Sequence, residues 1–360
     1  GAEVVVGPRA QPEFAHRVFA EGDAIDLGDQ VRLTCLETPG HTPEGISIVV
    51  RDRTQGDAPQ AVFTGDTLFI GDVGRPDLLA SVGVTADELG GMLYDSLHEK
   101  LLALPDETLV YPAHGAGSLC GKALSEDRVS SIGKERAGNY ALQPMDKAAF
   151  VALVSANQPP APQYFAYDAR LNRLERPTLP VMLNALTPLS PDEVLALQAE
   201  GGQVLDARTR DEFSAGHFKG SLNVSLDGKY ATWSGAVLEP ERTTVVVANP
   251  GDELQAAMRL GRIGLDRVAG YLSGGFQALA ERPELVATLA LVRAEELAER
   301  IAQGDAPPIL DVRGASEFEA GHIPGAVNIP LPELPSRLAE VPPGDDLVVS
   351  CQSGYRSTVG

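Results

Sequence analysis

The sequence predicts an α/β protein in three parts: an amino-terminal region of short strands and helices, then two tandem domains built on parallel sheets. Three observations carry this expectation. Short β-branched runs bounded by Gly, Pro and Asp recur through the first 140 or so residues. A segment of about 23 residues beginning at Val204 repeats from Ile309, an offset of 105 residues, about the size of a small domain. A helical pattern precedes each copy and an apolar, strand-like run follows it, the order that a parallel sheet covered on both faces requires.

The amino-terminal elements follow from local pattern. Runs 31–36, 46–50 and 61–63 are apolar and β-branched. Residues 89–104 place leucines at 89, 93, 97, 101 and 104 and stop before Pro105, which predicts a helix with one apolar face. Residues 108–111 predict another strand, and 127–153 a helix interrupted near Pro144. A proline-rich stretch over 157–180 predicts an ordered connector. The expected boundaries are 1–155, a connector over 156–185, a first repeat over 186–290 and a second over 291–360.

Composition narrows the function classes. The formal net charge of −21 argues against a nucleic-acid partner, because binding phosphates needs a basic face. No apolar run approaches the roughly 20 residues of a membrane helix. Three cysteines, at 35, 120 and 351, are too few and scattered for a disulfide framework, and a reducing cytoplasm is the expected compartment. Cys35 lies in an apolar strand and reads as core, His98 as a solvated helix residue and His16 as structural. Cys120 follows a histidine motif and could face the mouth of that site, but it is not expected to have a functional role.

Chemistry concentrates at two places. In the second repeat the run 347–350 ends in Cys351-Gln352-Ser353-Gly354-Tyr355-Arg356-Ser357. A cysteine leaving a strand into a tight loop meets converging backbone N–H groups, which favour thiolate and an anionic sulfur group. Arg356 is expected to add positive charge there. In the amino-terminal region, His41, Asp66 and His114 each follow a strand and sit beside glycine, in "TPGHT", "FTGDTLF" and "YPAHG". Imidazoles and a carboxylate at one sheet edge are a ligand set for zinc or non-haem iron.

The repeat strings "DVRGASEFEAGHIPGAVNIP" and "CQSGYRS" resemble the rhodanese family of sulfurtransferases, over both copies. The resemblance makes Cys351 the persulfide carrier, and Asp311, Arg313 and His322 signature residues with supporting roles. The loop length resembles that of the sulfur-transferring members, not the related phosphatases. In the first copy, setting strand 245–248 on 348–350 puts Asn249 opposite Cys351 and Leu254 opposite Arg356, so that copy is expected to be catalytically silent.

The histidine and aspartate motifs resemble the metallo-β-lactamase fold, and "GDVGRPD" at 71–77 is most similar to its persulfide dioxygenases. That resemblance implies part of an αββα sandwich and a mononuclear Fe(II) held by His41, Asp66 and an upstream histidine, with His114 a ligand or near neighbour. It implies oxidation of glutathione persulfide to sulfite. Separately, the positive charge of Arg75 offers a way to steer an anionic substrate. The family's His-x-His-x-Asp-His motif does not occur in this sequence, and the second repeat lacks counterparts of the first copy's last elements. The sequence is therefore expected to be a fragment, truncated at both ends, with no competent metal centre as it stands.

The expected function is sulfide detoxification, with glutathione persulfide, thiosulfate or another low-molecular-weight sulfane-sulfur compound as partner; a homodimer is left open. Two rivals stand beside it. One is a glyoxalase II-like thioester hydrolase with two zinc ions and His114 as a full ligand. The other is a non-catalytic scaffold around one sulfur-carrier domain.

Overall fold

The computed structural model describes all residues except 1–2, 79–82, 117, 119, 122–124, 157, 159–163, 177–180, 182–183, 185, 345 and 360. Most of the proline run of the expected connector lies outside the described residues. The chain divides into one compact unit of Gly1–Ala161 with Phe165–Glu175, and another of Pro162–Tyr164 with Arg176–Gly360.

The first unit is built on a six-stranded sheet in the order Ala24–Leu27, Val31–Glu37, Ile46–Asp52, Ala61–Gly65, Leu109–Pro112, Ser130–Ser131. The first four strands pair antiparallel, Ala61–Gly65 pairs parallel with Leu109–Pro112, and the last pair is antiparallel. Val31–Glu37, Ala61–Gly65 and Leu109–Pro112 therefore run in one direction, and the loops that leave them emerge at one edge. Those loops carry the His41, Asp66 and His114 motifs, so sheet direction gathers residues far apart in sequence.

The predicted leucine helix forms as Ala86–Asp95, started by a capping box between Thr85 and Glu88. It runs on through a wider turn, Ser96–Lys100, and a tighter one, Leu101–Ala103, before Pro105. Leu93, Leu97 and Leu101 are fully buried with Val49, Val62 and Val110 of the sheet and Phe150 of the helix Lys147–Ser155. The 127–153 segment divides into Ile132–Gly138, a turn at Tyr140–Leu142 and Lys147–Ser155. His98 departs from its expected solvated role: its ring packs 4.2 Å from the Tyr94 ring and edge-on to Phe150. Cys35 is core as expected, with its thiol donating to the Phe19 carbonyl at 3.1 Å.

The second unit holds both repeats. The first forms a parallel five-stranded sheet ordered Ser221–Asn223, Gln203–Asp206, Thr244–Val247, Val268–Leu272, Thr187–Leu189. Gln203–Asp206 and Thr244–Val247 are buried at every position, as strands covered on both faces must be. The second repeat forms Val327–Asn328, Ile309–Asp311, Val348–Ser350 in the matching order, all parallel.

The two copies agree down to side-chain bonds. Arg208 pairs with Asp206 and Arg313 with Asp311; each guanidinium also donates to a carbonyl, of Gly216 and Gly321 respectively. Asn223 donates to the carbonyls of Asp206 and Arg208, and Asn328 to those of Asp311 and Arg313. His217 stacks on Phe213 with ring centroids 3.8 Å apart, and His322 on Phe318 at 3.7 Å.

Strand register corrects the alignment expected for the first copy. Asp206 faces Val247 and Asp311 faces Ser350, so the residue opposite Cys351 is Ala248, not Asn249, and the one opposite Arg356 is Glu253, not Leu254. Strand 244–247 is Thr-Val-Val-Val, buried on both faces, and such a run gives no alternation by which to fix register. Ala248 offers no thiol at that place.

Candidate functional sites

In the first unit His41 is buried, and its Nδ1 lies 2.9 Å from the Arg75 carbonyl. A carbonyl only accepts, so that nitrogen carries the proton and Nε2 is the ring atom left facing Asp66 and Cys120. Nε2 stands 3.9 Å from Asp66 Oδ2, and Asp66 Oδ1 is bonded to His114 Nδ1 at 2.5 Å. Cys120 completes the group: one donor atom each from His41, Asp66 and Cys120 lie within 4.8 Å of one another. The Arg75 backbone ties this together, its carbonyl holding His41 and its N–H donating to the Cys120 carbonyl at 3.0 Å.

The electrostatics follow from these contacts. Burial pushes the Cys120 thiol up, but hydrogen bonds from His114, His41 and Ser118 outweigh it and bring the thiol down to about 6. Asp66, then Cys120, raise His114 to about 10. Burial works against charge on His41, yet Cys120 and Asp66 leave its net shift upward. An imidazole, a carboxylate and a thiolate that converge this closely fit a first-row divalent metal. Beside them opens a cavity of about 320 Å³ that reaches His41 and Cys120 and is bordered by Phe14, Glu44, Phe165 and Arg173.

In the second unit Cys351 leaves Val348–Ser350 and opens on a cavity of about 670 Å³ shared with Arg313 and His322. The Gly354 N–H donates to Cys351 Sγ at 3.1 Å, and Ser357 Oγ lies 3.6 Å away. Burial raises the thiol, but the Ser357 hydroxyl and the loop N–H groups of Ser357, Ser353 and Gly354 outweigh it and shift it below its ordinary value.

Residues 2–114 match the metallo-beta-lactamase superfamily, and residues 190–282 and 293–359 match the rhodanese-like domain. This chain joins a metallo-β-lactamase-fold domain to rhodanese-like domains. The metallo-β-lactamase-fold region is 36% identical over 110 residues to the mitochondrial persulfide dioxygenase of Mus musculus, covering 31% of this chain and 38% of that protein. It is 37% identical over 116 residues to a hydroxyacylglutathione hydrolase of a Polaromonas species, covering 32% of this chain and 39% of that protein. The aligned chain thus spans well under half the length of either relative. A metallo-beta-lactamase structure from Staphylococcus aureus superposes with a TM-score of 0.62 at 26% identity, covering 76% of this chain and 77% of that one.

Within the metallo-β-lactamase-fold domain, the sheet edge assembles all three of the expected residues, with His114 joined through its bond to Asp66. Cys120 was not among the expected ligands. Its signal was the glycine-rich run "GAGSLCGK" directly after His114, which puts Cys120 six residues past that histidine. The steering role expected of Arg75 does not hold: its side chain is 1% exposed and clasps Asp77 with two bonds of 2.7 and 2.6 Å. In the rhodanese-like part, Arg356 is turned from the role expected of it. Its guanidinium forms a two-bond fork with Glu317 at 2.7 and 2.8 Å, which offsets the charge expected for an anion.

Proposed function

We propose that the protein handles persulfide sulfur at both sites, within the sulfur metabolism to which its relatives and rhodanese-like domains point. The observation that carries this reading is the convergence of His41, Asp66 and Cys120 beside a cavity, in a chain that also presents Cys351 on a rhodanese-type loop.

The proposed first reaction converts a low-molecular-weight persulfide such as glutathione persulfide, with O₂ and water, to the thiol, sulfite and two protons. The expectation of no competent metal centre rested on the missing upstream histidine; Cys120 offers a third donor in its place. His41 Nε2, Asp66 and Cys120 would hold the metal, which when bound supplies the one-electron chemistry that lets O₂ react with a sulfur anion. Iron is the proposed metal. The cavity of about 320 Å³ beside these residues would receive the persulfide. His114 holds the Asp66 carboxylate in place through its bond to Oδ1.

In the proposed second reaction, the Cys351 thiolate attacks the outer sulfur of a sulfane donor such as thiosulfate. A Cys351–sulfur bond forms as the donor's sulfur–sulfur bond breaks, and sulfite leaves with the electron pair. An acceptor thiolate then takes the outer sulfur and restores the Cys351 thiolate.

The test is metal content and O₂ uptake with glutathione persulfide on the purified protein. About one iron per chain with persulfide-dependent O₂ consumption is the expected result. The likeness to a hydroxyacylglutathione hydrolase favours one alternative, a thioester hydrolase with zinc; two zinc ions and no O₂ uptake would replace the dioxygenase reading with it.

A further inference from the structure

The rhodanese-like repeat without a thiol reaches into the loop of the repeat that has one. Arg210, from the first repeat, donates from Nη1 to the Ser353 carbonyl at 3.1 Å. That carbonyl belongs to the same peptide unit as the Gly354 N–H, which donates to Cys351 Sγ. One peptide plane thus carries a cation at its oxygen end and the reactive sulfur at its hydrogen end.

Gly354 makes this approach possible. Its φ of +84° is a conformation that side chains rarely adopt, and a Cβ there would stand 2.1 Å from Arg210 Nη1. The guanidinium lies where a side chain would otherwise be. A second contact from the first repeat fixes the next residue: the Tyr355 hydroxyl donates to the Ser225 carbonyl at 2.8 Å, and its ring covers Gly228.

The other charges around the loop are already committed. Arg356 is forked onto Glu317, Arg313 onto Asp311, and His322 is bonded to the Phe318 carbonyl and stacked on its ring. From the first repeat, Arg259 donates to the carbonyls of Leu226 and Gly228, and Asp211 pairs with the outer side of Arg210. A cation on a carbonyl oxygen polarises its peptide and makes the N–H a stronger donor, as in any chain of hydrogen bonds.

We propose that Arg210 is a positioning residue for sulfur transfer: it fixes and polarises the Ser353–Gly354 peptide so that its N–H stabilises the anionic sulfur of Cys351. The first repeat, though it lacks a thiol, is by this account a working part of the second repeat's site. The inference rests on reading Cys351 as the sulfur carrier, but its test reads thiol ionisation and not sulfur transfer, so the two fail separately.

The experiment is the pH dependence of Cys351 alkylation by iodoacetamide in the full chain, read on the Cys351 peptide by mass spectrometry. Arg210→Gln keeps a donor for the carbonyl but removes the charge, and Arg210→Lys returns a cation. The alkylation midpoint is expected to rise by about 0.5–1 pH unit in Arg210→Gln, a roughly three- to tenfold slower reaction below the midpoint. Arg210→Lys is expected to recover at least half of that shift. Circular dichroism confirms that both variants are folded. A folded Arg210→Gln protein with the parent midpoint, or an Arg210→Lys protein displaced as far as Arg210→Gln, would overturn the proposal.

Discussion

At the scale of single residues, both sites depend on backbone groups as much as on side chains. Replacing Cys351 by Ser removes the nucleophile, and sulfur transfer from thiosulfate is expected to fall to background while circular dichroism stays unchanged. Gly74 shows the same dependence at the metal site. A Cβ there would lie 1.9 Å from the Asp66 carbonyl oxygen and 2.9 Å from His41 Cβ. Gly74→Ala must therefore displace the loop that carries Asp66, and metal retention measured by metal analysis is expected to drop at least about tenfold. Glu317 gives a pH signature. Its fork with Arg356 holds the carboxyl down to about 2 against an ordinary 4.5. A depressed carboxylate contributes stability that is complete above pH 4.5 and is lost as pH falls toward 2. The side chain is 38% exposed, so the contribution is about 1 kcal/mol after screening. Urea midpoints of Glu317→Gln and parent should differ at pH 6 and converge toward pH 2–3.

At the scale of elements, the leucine helix is the clearest case of pattern becoming packing. Leu97 is fully buried in the cluster with Val62 and Val110, and Leu97→Ala is expected to cost about 2–5 kcal/mol, read from denaturant unfolding followed by tryptophan-independent far-ultraviolet dichroism. Much of this architecture was legible because its causes are local. Helix periodicity marked 89–104, and the Asp-Arg-His-Asn signature marked both repeats because its bonds close within about 17 residues. What escaped depended on long-range or backbone contacts. Glu317 meets Arg356 across 39 residues, and Cys120 reaches His41 through the main chain of Arg75, which no side-chain pattern reports. His98 was misjudged because helix spacing alone did not show that Tyr94 and Phe150 would cover its ring. The slip of one residue in the first repeat arose in a strand of consecutive valines, where both faces are buried and neither position looks wrong.

At the scale of the whole molecule, a net charge of −21 spreads repulsion over a chain of 360 residues. Salt screens such repulsion, so raising sodium chloride from 0.02 to about 0.2 M should increase the unfolding temperature by a few degrees in a calorimetric scan. A fall in that temperature would mean that specific ion pairs outweigh the general field. The described helices include none long and apolar enough to cross a membrane.

The Asp-Arg-Asn bonding common to both repeats has an evolutionary consequence. The residues that make each copy fold are not the residues that make the second one reactive: the former close around Asp206 and Asp311, and the latter lie on the loop after the following strand. A duplicated gene segment of this kind is free to lose its chemistry by drift without losing its shape. The copy with Ala248 can then still serve as a neighbour to the thiol loop, which Arg210 and Ser225 already touch.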